Sequence, residues 1–179
     1  MNIISGTARN IELSVPAGLE VRPTSGRARK ALFDSLGSFA GIGVLDLCSG
    51  SGALALEAAI RGAERAFMVE LSPFHCRIIK ENIEKVRKAG VAAPLEVINC
   101  SILDVRRYLD AVYSSNLIFA DPPYALEGLA EIPDKIMNAG LLHPDCYFIL
   151  EHPADYSFTE HPRFFKERKY GNVHFSFFR

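Results

Sequence analysis

Five apolar runs, Val44–Leu47, Phe67–Glu70, Leu95–Ile98, Leu117–Ala120 and Tyr147–Glu151, are each separated from the next by a segment of helical periodicity. No other feature constrains the fold as strongly. A strand that reads as continuously apolar is buried on both faces, which happens where crossover helices cover a parallel sheet. The chain from Gly43 onward is therefore expected to be an α/β, Rossmann-like, mostly parallel sheet.

The end of the chain breaks the pattern. Phe164-Phe165-Lys166-Glu167-Arg168-Lys169, a turn at Tyr170-Gly171-Asn172, and Val173, Phe175 and Phe177 alternating with His174 and Ser176 predict an antiparallel hairpin closing the sheet edge. At the other end, Ile11, Leu13 and Val15 alternate with polar residues and stop at Pro16-Ala17-Gly18. With Ile3-Ile4 they predict a short β-ribbon, an appendage over residues 1–24 beside a domain over residues 25–179. A helix is expected from Ser25 to Ser38, with Thr24 or Ser25 as N-cap. A second runs from Pro73 to Lys88, capped by Ser72. Pro133 is expected to divide the weaker helical pattern from Leu126 to Met137 into two short helices.

At 179 residues, 49% of them hydrophobic and 23% charged, the chain can bury one substantial core. A net charge of −1 excludes a protein that coats nucleic acid through many phosphate contacts. Any nucleic-acid partner is then expected to be recognised as a folded surface rather than by electrostatic grip. Cys48, Cys76, Cys100 and Cys146 are widely spaced and the histidines lack ligand spacing, so reduced thiols and no metal are expected. With neither a signal-like apolar segment nor a membrane-length one, a cytoplasmic protein without membrane association is expected.

Chemistry enters at two places. Val44-Leu45-Asp46-Leu47 runs into Cys48-Ser49-Gly50-Ser51-Gly52 and then a helix. The glycines let the backbone turn tightly against a ligand whose anionic end meets helix N–H groups. Nicotinamide enzymes share this loop. Glu70, closing the next strand, stands where a doubly wound sheet places an acid for ribose hydroxyls, with Leu71 beside it. Asp46 is costly in a buried run unless paired. It either receives the ammonium of S-adenosylmethionine or ties down the glycine loop. Ser101 and Ile102, after the third strand, are candidates for the adenine edge.

The second place is Asp121-Pro122-Pro123-Tyr124, directly after the strand Leu117–Ala120. An aromatic exocyclic amine is a poor nucleophile because its lone pair is delocalised into the ring. Asp121 and the Pro122 carbonyl can each accept one of its N–H groups, favouring the pyramidal transition state over the flat ground state. Pro122-Pro123 makes a rigid corner, and Tyr124 offers a face on which an extruded base can stack. Loop and ledge together predict an N-methyltransferase using S-adenosylmethionine.

These residues, with Ile3-Ile4-Ser5-Gly6, Arg22-Pro23-Thr24, Arg27-x-Arg29, Ala31-Leu32-Phe33, Glu57-Ala58 and Arg61-Gly62-Ala63, resemble the bacterial 16S rRNA guanine-N2 methyltransferases over nearly the whole chain. The resemblance implies a class I methyltransferase with a seven-stranded sheet, S-adenosylmethionine as donor, and a guanine N2 acceptor in 16S rRNA, within a small ribosomal subunit or an assembly intermediate. It implies that Gly50 and Gly52, with neighbours Cys48 and Ser49, line the cofactor, that Glu70 holds its ribose, and that Asp121 to Tyr124 hold the base. Arg9, Arg22, Thr24, Arg27 and Arg29 are expected to meet RNA. Gly26 and Lys30 depart from the acidic residues of the family's helix, and Ile11-Glu12 replaces a more basic stretch. Other readings are a DNA adenine-N6 methyltransferase, which lacks a target-recognition domain here, a nicotinamide dehydrogenase, which leaves Asp121–Tyr124 unexplained, and a noncatalytic nucleotide-binding assembly factor.

Overall fold

The computed structural model describes residues 2–4, 11–16, 23–138 and 145–179. Helix α1 (Pro23–Leu36) leads to β1 (Gly43–Leu47), α2 (Ala53–Ile60), β2 (Arg65–Glu70), α3 (Pro73–Lys88) and β3 (Leu95–Asn99). Then come α4 (Leu109–Tyr113), β4 (Leu117–Ala120), α5 (Ile132–Asn138), β5 (Tyr147–Pro153), β6 (Phe164–Tyr170) and β7 (Val173–Phe178). The seven strands form one sheet in the order β3-β2-β1-β4-β5-β7-β6. Strands β1 to β5 are parallel, and β7 runs antiparallel to both β5 and β6. The chain winds outward from β1 to β3, then returns to place β4 on the other side of β1. That reversal opens a crevice at the carboxyl ends of β1 and β4.

Alternation along each strand splits the core into two layers. Val44, Phe119 and Ile149 pack with Leu32, Phe33, Leu56 and Ile79 of α1 to α3. Leu45, Ile118 and Phe148 pack with Tyr108, Val112 and Ile136 on the opposite face. Within the first layer Phe33 stacks on Phe39 with centroids 5.3 Å apart and lies 5.6 Å from Phe119. This cluster anchors α1 to the sheet, and losing one such fully buried ring typically removes about 3–5 kcal/mol.

The N-terminal ribbon joins the same core. Asn2 bridges Glu12 in antiparallel fashion, and Ile3 and Leu13 are buried in the α1–α3 layer. Asn82, inside α3, donates to the carbonyls of Ser14 and Ser51 and accepts from the Ser14 amide. One buried amide thereby ties the ribbon to the loop after β1.

One local expectation is corrected. Helix α1 begins at Pro23, so Thr24 and Ser25 lie in its first turn instead of capping it; proline's fixed φ and missing N–H suit that position. The segment around Pro133 does form two short helices, a 3-10 turn at Leu129–Glu131 and then α5, with Pro133 in the first turn of the second. The Ser72 side chain accepts from the His75 amide at the start of α3, as its position predicts.

Candidate active site

The loop after β1 is built from left-handed residues. Cys48, Gly50 and Gly52 have φ of 62°, 56° and 78°, and the cysteine adopts this conformation at an energetic cost of about 1–2 kcal/mol. Glycine is required at position 52. A Cβ there would meet Ile79 Cγ2 and Met68 Sδ, each at 3.2 Å. The loop therefore lies against β2 and α3, and its exposed edge faces the crevice.

Glu70 holds this edge in place. Its Oε2 accepts from the Gly50 amide at 2.9 Å and its Oε1 from the Ser72 amide at 2.8 Å. The carboxylate links the two loops; Oε1 also faces His75 Nδ1 at 3.5 Å, and Oε2 keeps a further lone pair for a ligand hydroxyl. Asn99 Nδ2 donates to the carbonyls of Glu70 and Leu71, both at 2.8 Å, which fixes the end of β2 against β3.

Across the crevice, the Asp121 amide donates to the Leu47 carbonyl at 3.3 Å, extending the β1–β4 ladder past the sheet. Asp121 is exposed at its tip, Pro122 is buried and Tyr124 half-buried. The Pro123 carbonyl accepts from the Leu126 amide at 2.8 Å and closes a turn. The Tyr124 hydroxyl donates to Glu151 Oε1 at 3.4 Å.

Loop and ledge face one cleft of about 750 Å³. Cys48, Gly50, Glu70, Leu71, Ser101 and Ile102 line the part beside β1 to β3. Asp121, Pro122, Pro123 and Tyr124 line the part beside β4. The Ser101 hydroxyl accepts from the Leu103 amide at 3.1 Å, leaving its own O–H as the group available to a ligand. Sequence reasoning missed His75 and Glu151, which also line the cleft; neither carries a spacing signal.

Asp46, Ser49 and Gly52 do not line the cleft. Asp46 is 1% exposed; its Oδ2 accepts from the Ala55 amide at 3.3 Å, and the Ser49 hydroxyl donates to its backbone carbonyl. The carboxylate thus meets the start of α2, while the bond from the loop's Ser49 falls on the Asp46 backbone. Its Oδ1 is buried without a hydrogen-bond partner among the described residues. Burial, and then the charges of Asp121 and Glu70, hold its pKa well above the usual carboxylate range. Burial also pushes the Cys48 thiol up to about 12, reinforced by Glu70, Asp46 and Asp121.

The arginines expected at the RNA surface part company. Arg9 and Arg22 lie outside the described residues, Thr24 falls in the first turn of α1, and Arg27 is exposed. Arg29 is a correction. It is 8% exposed and its Nη2 donates to the Asn2 carbonyl at 2.7 Å, so it fastens the ribbon to α1 and does not project toward a partner.

The electrostatics select among cofactors. Asp121 and Glu70 lie in the cleft wall with Asp46 just behind it, and no Lys or Arg lines the cleft among the described residues. A dinucleotide's diphosphate would meet carboxylates with no cation to offset them. The sulfonium and ammonium of S-adenosylmethionine carry the complementary charge. Val69, Cys100 and Ile102 supply the apolar surface an adenine ring needs. The residues present thus fit this cofactor.

A mostly parallel sheet with this strand order, an antiparallel C-terminal hairpin and such a cleft at its reversal defines a class I methyltransferase whose cofactor is S-adenosylmethionine. The chain belongs to the family described as Conserved hypothetical protein 95, whose model matches residues 1–179, the 16S rRNA methyltransferase family its motifs resemble. It is 30% identical over 152 residues to Ribosomal RNA small subunit methyltransferase D of Escherichia coli K12, covering 84% of this chain and 74% of that one. A protein of the same name from Haemophilus influenzae is 28% identical over 156 residues, 87% of this chain and 80% of that one. The solved structure of a hypothetical protein from Thermus thermophilus matches with a TM-score of 0.78 at 30% identity, over 100% of this chain and 99% of its own. An RNA methyltransferase from Salinibacter ruber, solved with S-adenosyl-L-homocysteine, shares the fold with a TM-score of 0.65 at 14% identity, over 88% of this chain and 92% of its own.

No helix among the described residues is long and apolar enough to cross a membrane. No cluster of His, Cys, Asp and Glu among them is arranged to hold a metal.

Proposed function

We propose that this protein methylates the exocyclic N2 of a guanine in the 16S rRNA of the small ribosomal subunit, using S-adenosylmethionine. The observation that carries the reading is the placement of Asp121–Tyr124 in the same cleft as Gly50 and Glu70. The similarity to relatives named small-subunit rRNA methyltransferases supports the substrate class. When bound, the cofactor supplies an electrophilic methyl group on a sulfonium sulfur.

The chain's own residues prepare the acceptor. The Asp121 carboxylate and the Pro122 carbonyl accept the two amine hydrogens and turn the nitrogen lone pair toward the donor side of the cleft. No backbone hydrogen bond among the described residues ends on the Pro122 carbonyl. Tyr124 stacks on the extruded base, an interaction worth about 1–3 kcal/mol in single-strand systems. Asp121 acts by orientation and by stabilising the charge that develops on the amine. Of the arginines, exposed Arg27 on α1 is the contact that the described residues leave for phosphate.

The test uses the protein with isotopically labelled S-adenosylmethionine and, in parallel, small ribosomal subunits, naked 16S rRNA and duplex DNA. Digestion to nucleosides and mass spectrometry should place the label in N2-methylguanosine from the ribosomal substrate. Label in N6-methyladenosine from DNA would replace this reading with DNA methylation, and cofactor binding without any labelled nucleoside would replace it with a noncatalytic assembly factor.

A further inference from the structure

We infer that Glu151 is a specificity-determining residue that selects guanine by accepting its N1–H. The inference rests on the guanine-N2 reading above and deepens it. Strands β4 and β5 are parallel neighbours with Ala120 paired to Leu150, so Asp121, the residue just after β4, and Glu151, inside β5, sit side by side. Phe119 and Ile149 belong to one core layer, Ala120 and Leu150 to the other. One step further, the alternation returns Asp121 and Glu151 to a common face. Both line the cleft, and the Tyr124 hydroxyl donates to Glu151 Oε1 at 3.4 Å. The carboxylate therefore lies beside the ring on which the base stacks, on the side of the cleft away from the glycine loop.

A carboxylate only accepts hydrogen bonds. The Watson–Crick edge of guanine offers N1–H and the N2 amine as adjacent donors. Asp121 and the Pro122 carbonyl account for the two amine hydrogens, which leaves N1–H for a further acceptor, and Glu151 is the acidic side chain next in line. Adenine presents a lone pair at N1 instead. Its approach would set that lone pair against the Glu151 carboxylate, an unpaired buried polar contact of the kind that rejects a wrong substrate strongly.

The experiment compares small-subunit particles assembled on 16S rRNA carrying, at the position the wild-type enzyme methylates, either guanosine or 2-aminopurine. The analogue keeps the 2-amine but has a lone pair in place of N1–H. Wild type should favour guanosine in kcat/KM by about 10- to 100-fold. Glu151→Gln, whose amide can donate to the N1 lone pair, should bring that ratio close to one, with S-adenosylhomocysteine binding by calorimetry unchanged. Glu151→Asp should lose rate yet keep the preference. A wild-type ratio near one, or an unchanged ratio in Glu151→Gln, overturns the inference, the first whatever the variants do. Methylation of no guanosine by wild type would instead overturn the guanine reading itself.

Discussion

The backbone amide of Asp121 is hydrogen-bonded to the carbonyl of Leu47 at 3.3 Å, one step before the left-handed Cys48. This bond sets Asp121–Tyr124 directly against the glycine loop. Both walls of the cleft are thus referenced to the tip of one strand, β1, and the proposed acceptor and cofactor sites are held at a separation that does not depend on a flexible connection.

Asp121→Ala and Asp121→Asn should lower kcat by about 10²-fold or more, because misplacing the reacting nitrogen costs that much even without loss of binding. S-adenosylhomocysteine affinity, measured by calorimetry, should stay at the wild-type value. Wild-type turnover in either variant would remove Asp121 from the chemistry.

Gly52→Ala forces a side chain into a left-handed position and against Ile79 and Met68 at 3.2 Å. Overpacking of this kind destabilises by about 1–3 kcal/mol, with a further contribution from the positive φ. Urea unfolding should show a lower midpoint at an unchanged m-value. The displaced loop should also weaken cofactor binding.

Glu57 is completely buried on α2, where Oε2 accepts from the Ile4 amide at 2.8 Å and Oε1 from Arg61 Nε at 2.9 Å. Arg61 in turn lies over the Phe33 ring, 5.0 Å from its centroid. Glu57→Ala leaves a backbone donor of the ribbon without its partner and should destabilise by about 1–3 kcal/mol. A melting temperature equal to wild type would mean that the ribbon adds nothing to the core.

Asp46→Asn tests the buried carboxylate. Because burial raises its folded pKa, the native state holds its proton more tightly than the unfolded chain does. The stability this contributes is complete below the unfolded carboxylate pKa of about 4 and is lost as pH rises through the folded value. Asparagine keeps an acceptor for the Ala55 amide and does not ionise. The variant should therefore melt above wild type at pH 7, with the difference shrinking toward pH 4. A lower melting temperature at neutral pH would show that the charged form is held by a partner.

Cys48 and Cys146 have thiols pushed up to about 12, in each case chiefly by burial. At pH 8 only about one in 10⁴ of each is thiolate, the reactive form. Iodoacetamide followed by peptide mass spectrometry should find both unmodified in the native protein and labelled after unfolding. Rapid native labelling of Cys48 would contradict the packing of the loop.

The parts of this molecule legible in advance are those where a single local rule decides. Leu117–Ala120 is buried along its whole length, so its apolar run could only be an interior strand, and the ledge after it followed. Pro133 marks the division of its segment into two short helices because proline cannot continue a helix from the turn before it, and it falls in the first turn of the second. Arg29 has the spacing of a solvated helix face, but the ribbon folds over it, a contact spanning 27 positions. Glu151 and His75 gave no signal. A lone acid after an apolar run becomes informative only when the sheet order sets it beside Asp121.

The most direct measurement is a crystal structure of the protein with S-adenosylhomocysteine bound. The ribose is expected at Glu70, the adenine against Ile102, and the sulfur turned toward Asp121 across the cleft. Density for the ligand elsewhere, or an Asp121 carboxylate turned out of the cleft and away from the sulfur, would contradict this placement.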